Sequence, residues 1–476
     1  MSSTDRERLS VFALTAMVVG SMVGAGIFSL PRTFAVATGP FGALIAWTIA
    51  GIGMFALAMV FRTLAERRPD LDAGIFAYAK AGFGDYAGFL SAFGYWLVAC
   101  IADVSYWVLI KSTLGTFFPI FGDGNTPAAV LVSSIGLWLF HFMVLRGIRN
   151  AAAVNTLVTV AKIVPILVFV IILAALFKTD LFRVNFWGGS ELAGTGIVEQ
   201  VSATMLVTVF VFIGIEGASV YSRYAERRSD VGLATMLGFV TVTTLMVLVT
   251  LLPYAVLARG EIAAMRQPSM AGVLEAAVGP WGGIFVSIGL IISVLGAYLA
   301  WSLISIEVAF AAARSGDMPR FLAKENSNGV PVSALWLTNA MIQLFLISTL
   351  LSEDAFTLMV KLTSSMVLIP YLLVAAYGLL IAGRGETYDV RPHERRRDLT
   401  AGALATAYAL FMIYAGGMKF LLLSAVLYAP GTALYLQARR EQKLPLFTRI
   451  EWLVFIAALI GCIIGIFGLA TGEIVI

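Results

Sequence analysis

The chain has 476 residues, of which 60% are apolar and 13% charged, and its net charge is +4. An ordinary soluble domain is nearer half apolar and a quarter charged, so this composition excludes disorder, a disulfide scaffold and a nucleic-acid binder, and much of the apolar surface must face lipid. The two cysteines, Cys100 and Cys462, lie inside apolar runs, and two histidines, His141 and His393, are too few for a histidine metal site.

A helix crosses the hydrocarbon with about 20 apolar residues. Runs of that kind fall at 10–37, 41–61, 86–110, 126–145, 151–177, 199–222, 231–258, 281–313, 332–351, 356–382, 399–417, 420–438 and 450–471. They predict an all-α polytopic membrane protein of thirteen spans in one transporter-sized domain, 1–476. The last one or two are the least distinct, because the turn at Gly416–Lys419 is tight, so twelve spans remain an alternative. The polar Met1–Arg8 segment carries no small-residue cleavage site after the first apolar run and reads as a mature terminus rather than a signal peptide. Between spans 2 and 3, Glu66–Gly84 reads as an amphipathic surface stretch with Ile75, Phe76 and Tyr78.

Basic residues concentrate in alternate loops. One set carries Arg6 and Arg8, Arg62 to Lys80, Arg146 and Arg149, Arg223 to Arg228, Arg314 to Lys324, Arg384 to Arg397, and Arg439 to Arg449. The other carries only Arg32, Lys111, Lys178, Arg183, Arg259, Arg266 and Lys419, with Lys361 near that side. The positive-inside rule makes the N-terminus cytoplasmic, and thirteen spans leave the C-terminus outside.

Span 1 contains Gly20-Ser-Met-Val-Gly-Ala-Gly-Ile-Phe-Ser-Leu-Pro31. Each glycine weakens a helix by about 1 kcal/mol relative to alanine. Close helix packing is the plain explanation, but span 6 reads Phe210-Val-Phe-Ile-Gly-Ile-Glu-Gly-Ala-Ser-Val-Tyr221, with Gly214 and Gly217 around Glu216. Spans 1 and 6 hold the same place in two sets of five. Paired Gly-interrupted helices in corresponding halves point to a carrier of inverted repeats whose site lies at the breaks. Unwinding frees backbone groups that are costly in lipid, and a bound amino acid satisfies them. Its carboxylate suits the N–H groups and dipole end near Gly24, Ala25, Gly26 and Ile27. Its ammonium suits carbonyls around Ser21, Met22 and Val23 and at Ile213 and Gly214.

The Gly20–Phe28 motif with Pro31, followed by Phe-Ile-Gly-Ile-Glu at 212–216, resembles the amino acid–polyamine–organocation (APC) transporters over nearly the whole chain. Gly-Ile-Arg-Asn-Ala-Ala at 147–152, Ala-Lys-Ile-Val-Pro at 161–165, Trp301 and Leu-Ile-Pro-Tyr at 368–371 resemble the bacterial basic amino acid/polyamine antiporter branch, nearest its arginine/ornithine exchangers. The resemblance implies two inverted five-helix repeats, helices 1–5 (about 10–177) and 6–10 (about 199–382), with broken helices 1 and 6 and two or three peripheral helices (about 399–471). It implies alternating access in the bacterial plasma (inner) membrane, with no cofactor. No G-x-x-x-x-G-K-[ST] phosphate loop is present.

Ionisable residues at membrane depth each require an account. Asp103 in span 3 is either a hydroxyl-bonded structural acid or a counter-ion for a cationic substrate side chain, and relatives place the matching position beside that side chain. Charge-assisted hydrogen bonds to a guanidinium or terminal ammonium favour a basic substrate. Lys162 in span 5 matches a lysine that, in relatives, occupies the place of a sodium ion, the alternative being a snorkelling side chain. Glu216 is paired by resemblance with Tyr95 and Tyr371 as a gate layer, against a purely structural tie. Trp301 matches a tryptophan that stacks on the substrate, worth about 0.5–2 kcal/mol for a cation over an indole. Phe210 is the corresponding span 6 position, where relatives often carry tryptophan.

Among other classes, an intramembrane enzyme needs a nucleophile–base pair or metal ligands, and none is found; a channel does not need paired breaks. The function expected is exchange of basic amino acids. Lysine/cadaverine, histidine/histamine or arginine/agmatine exchange, or a proton-coupled symporter, are the alternatives. The partners expected are small basic amino acids and the lipid bilayer, with no nucleic acid; the branch contains homodimers, but no feature here marks a dimer face.

Overall fold

The computed structural model describes residues 10–71, 74–147, 151–189, 192, 194–216 and 228–475. Arg6, Arg8, Arg149, Gly217, Tyr221, Arg223 and Arg227, on which sequence expectations fall, lie outside the described residues. The described chain is helical throughout, and its strand-like pairing is an isolated bridge between Glu325 and Pro331.

The helices, in order, are α1 (Val11–Met22), α2 (Leu30–Ala37), α3 (Pro40–Arg67), α4 (Ile75–Phe83), α5 (Asp85–Gly115), α6 (Pro127–Leu145), α7 (Ala151–Ala175), α8 (Thr179–Asn185) and α9 (Ile197–Phe210). There follow α10 (Arg228–Leu251), α11 (Arg259–Ala263), α12 (Ser269–Val278), α13 (Pro280–Arg314), α14 (Val332–Ser348), α15 (Ala355–Arg384), α16 (Arg395–Glu441) and α17 (Arg449–Thr471). In hydrocarbon every backbone group must bond internally, which makes these apolar runs helical. Their ends carry local signals. Proline opens α3, α6 and α13, where its missing N–H costs nothing. Thr126 caps α6 by accepting from Ala129 N at 3.2 Å, and left-handed Gly385 and Gly472 close α15 and α17.

Nine described helices are long and apolar enough to cross a membrane, or eleven if each bent pair is one span. The stretch Pro392–Glu441 counts among these as one, yet Gly417 breaks it with φ 79°, ψ 164°, so it forms two legs turning where the sequence places the tight hairpin. The shorter apolar helix α9 is the described part of the run expected at 199–222.

The core centres on α5. Its apolar window is 94% buried, against 17% for the windows of α16 and α17, so α5 is the axis of the bundle and the last helices are its periphery. Packed on α5 are α13 and α15. Small residues permit the closest crossings: a Cβ on Gly289 of α13 would meet Pro165 of α7 at 2.3 Å, and one on Gly296 would meet Val158 at 2.1 Å. Outer faces carry large apolar side chains, among them Leu453, Ile463 and Phe467 on α17.

The stretch between α3 and α5 is amphipathic. In α4, Ile75, Phe76, Tyr78 and Ala79 are buried, while Lys80 Nζ reaches Asp317 at 2.7 Å and Asp85 at 3.3 Å. Arg439 at the end of α16 meets the other oxygen of Asp85 at 2.7 Å.

Candidate functional site

The first apolar run is broken where its glycines cluster. The α-helix ends at Met22, Gly24 is extended (φ −111°, ψ −157°), and a 3-10 turn over Ala25–Ser29 leads into α2. The two parts meet at 49°. The N–H groups at the start of the second part have no partner one turn back, as at any helix start.

The second break follows α9. From Val211 to Glu216 the chain is a series of turns, with Phe212 N bonding Val209 O at 3.0 Å and Ile215 N bonding Phe212 O at 3.2 Å. Gly214 has φ 107°, and a Cβ there would stand 2.6 Å from Ser21 O. Both its conformation and the closeness of the other break therefore require glycine. A Cβ on Gly26 would meet Val211 and Phe210 side chains at 2.7 and 2.8 Å. The Ser21 hydroxyl donates to Gly214 O at 3.2 Å and to Val18 O at 2.8 Å. The two breaks thus touch through glycines and one serine.

A cavity lies between them, lined by Ser21, Met22, Gly24, Gly26 and Ile27 from the first break and Phe210, Val211 and Ile213 from the second. Ala102 and Tyr106 of α5 and Trp301 of α13 complete the wall. The cavity therefore collects eight of the expected residues. Val23 and Ala25 are wholly buried beside it, and Gly214 supports it from behind. Ala102, Tyr106 and Val211 were not singled out in the sequence. A signal for two of them exists: Tyr95, Ala102 and Tyr106 are spaced seven and four apart, one stripe of a helix.

Glu216 collects donors from three directions. Tyr95 of α5 donates to its Oε1, Tyr371 of α15 donates to Oε2 at 2.7 Å, and Gly214 N lies 3.2 Å from both oxygens. Tyr95 also packs against Trp301, ring centroids 6.4 Å apart, so this carboxylate cluster is continuous with the cavity wall.

Lys162 of α7 is 7% exposed, and its Nζ donates to Gly20 O at 3.0 Å. It bonds the last turn of α1 just before the break.

Asp103 is wholly buried on α5. Its Oδ2 accepts from Ser302 of α13 at 2.8 Å, and its Oδ1 has no hydrogen-bond partner. It is not among the lining residues but lies directly behind them, following Ala102 in the chain as Ser302 follows Trp301. Among the described residues, no group of three His, Cys, Asp or Glu could hold a metal.

Comparison with known proteins accords with this arrangement. The profile of the family described as Amino acid permease matches residues 9–419. An arginine/ornithine antiporter of Pseudomonas aeruginosa is 51% identical over 99% of each chain. An L-lysine transport protein of Corynebacterium glutamicum is 41% identical over 98% of this chain and 96% of its own, and an arginine/agmatine antiporter of Chlamydia abortus is 40% identical over 92% and 91%. The chain belongs to the amino acid permease family of the APC superfamily.

Proposed function

We propose that this multi-pass membrane protein is a secondary transporter that exchanges basic amino acids, arginine against ornithine, by alternating access. The observation that carries the reading is the cavity between two touching helix breaks. Its floor offers helix-start N–H groups at Gly24–Ile27 for a carboxylate. Its wall offers the Trp301 indole for a cation, with the Asp103 carboxyl behind it. The three relatives, named for arginine, ornithine, agmatine and lysine, share a cationic tail in their substrates.

In this reading helices 1–5 and 6–10 form inverted repeats around the cavity, and the loops rich in arginine face the cytoplasm from the inner membrane. Glu216, Tyr95 and Tyr371 form a gate layer, since two phenol donors and a peptide N–H tie helices on both sides of the break. Lys162 holds the first break in the role that a sodium ion would take, so transport needs no sodium.

The test uses purified protein in liposomes loaded with ornithine or left empty. Labelled arginine should enter the loaded vesicles many-fold faster, with no effect of replacing sodium by choline. Equal uptake into both would reject exchange, and dependence on sodium would reject the role of Lys162.

A further inference from the structure

Asp103 is half satisfied. One oxygen takes the Ser302 hydroxyl, the other is sealed from solvent without a donor, and among the described residues no lysine, arginine or histidine pairs with it. The titratable groups whose charges act on or are acted on by it are Cys100 and Tyr106 on α5 and Tyr298 on α13, none of them cationic. Farther round the cavity, Glu216 and Lys162 are each engaged with other partners. A lone ionised carboxylate in such a place is costly, and a group so placed takes up a proton instead. As a neutral acid it still accepts from Ser302 at Oδ2, with the proton on Oδ1, and the cost of a buried charge is removed.

We infer that Asp103 is a proton site that the cationic tail of the substrate empties. In the vacant carrier the acid is neutral. When a guanidinium slides past the Trp301 wall, its N–H groups replace the proton at the carboxylate as charge-assisted donors. The proton leaves to the bulk solvent and the guanidinium keeps its own, so one cation replaces another and no bond within the substrate changes. Ser302 is the positioning residue, because it holds one oxygen so that the other meets the incoming group. The inference rests on the transport reading and adds to it that binding a basic amino acid releases a proton, which a neutral isostere such as citrulline does not do.

Arginine binding to the purified full chain, measured calorimetrically in buffers of different ionisation enthalpy, gives the proton count. Arginine binding should release a proton, so arginine affinity should tighten as the pH rises. Citrulline should release none. In Asp103→Asn the pH dependence of the arginine KM in ornithine-loaded vesicles should vanish. In Glu216→Gln it should remain. Ser302→Ala should move the same pH dependence upward, because the charged form loses its donor, and Ser302→Thr should restore it. Wild-type exchange with no proton release, or release that persists in Asp103→Asn and is lost in Glu216→Gln, overturns the proton site and leaves the transport reading intact. Absence of any arginine binding and exchange overturns both.

Discussion

Two buried carboxylates flank the same cavity and are treated in opposite ways. Glu216 is surrounded: two phenols and a peptide N–H occupy both its oxygens. Asp103 receives one hydroxyl, and its second oxygen is bare. A buried polar group fully provided with partners fixes a structure, whereas one left short is a place where a ligand or proton belongs. In the proposed transport cycle this difference suits Glu216 to holding the helices closed and Asp103 to meeting the substrate. Glycines separate the two in the same way. Gly214, beside Glu216, is fixed by a positive φ and by contact with Ser21 O, while a Cβ on Gly24, at the cavity, would meet only the Tyr106 hydroxyl at an ordinary 3.6 Å.

That contrast is most open to attack at Asp103. Removing its charge in Asp103→Asn should cost a guanidinium or ammonium tail about 3 kcal/mol, near a hundredfold in affinity. Thermal unfolding in detergent should be unchanged or slightly later, because an under-partnered acid is replaced by a neutral amide. Glu216→Gln should give the reverse pattern. The amide has a single acceptor oxygen for donors that now use two, so about 2 kcal/mol of stability is lost, with exchange slowed about tenfold and arginine affinity little altered. If the two variants show the same balance of stability and affinity, the division of labour is wrong. A smaller step on the same side is Tyr371→Phe. It deletes one of Glu216's donors, should lower stability by about 1 kcal/mol, and should speed loss of bound substrate a few-fold in a dissociation assay.

Much of this arrangement was legible in the sequence. The glycine clusters at 20–26 and around 214 marked both breaks, because glycine in a helix costs stability that only a need for unwinding or closeness explains. Glu216, Tyr95 and Tyr371 were joined by resemblance, and the hydrogen bonds join them too. Less legible was the register of α5 and α13. Sequence depth alone puts Asp103 at the right height, but a helix turns 100° per residue, so Ala102 and Tyr106 face the cavity while Asp103 turns toward Ser302. Ser302 itself carried no signal, since a serine in an apolar span is ordinary. The tight turn at Gly416–Lys419 left the last spans the least distinct in the sequence, and the structure puts the break inside α16 at Gly417, whose φ is 79°.

The mildest test concerns a third buried carboxylate, Asp317, which has a real cation for a partner. It is 3% exposed, accepts from Lys80 Nζ at 2.7 Å and from the Ser315 hydroxyl at 2.8 Å, and lies outside the spans on the face proposed to be cytoplasmic. Burial raises its pKa above the ordinary carboxylate value, and Lys80 acts against that rise. In Lys80→Met the opposing charge is gone, so the folded-state pKa of Asp317 climbs further while its unfolded value stays put. A carboxyl whose folded pKa is raised favours the folded state below its unfolded pKa, and that advantage is lost as pH rises through the folded pKa. The variant should therefore be about 1 kcal/mol less stable than the wild type near neutral pH, a modest figure because the Lys80 side chain is 37% exposed and solvent screens it. The deficit should shrink as the buffer is made acidic and Asp317 takes a proton. Detergent melting curves across that range would read it. A deficit that stays constant or grows toward low pH would show that Lys80 supports α4 by packing its methylenes and not by answering the charge. In that case Asp317 would join Glu216 as an acid held by its hydrogen bonds, and Asp103 would be left alone in needing a cation.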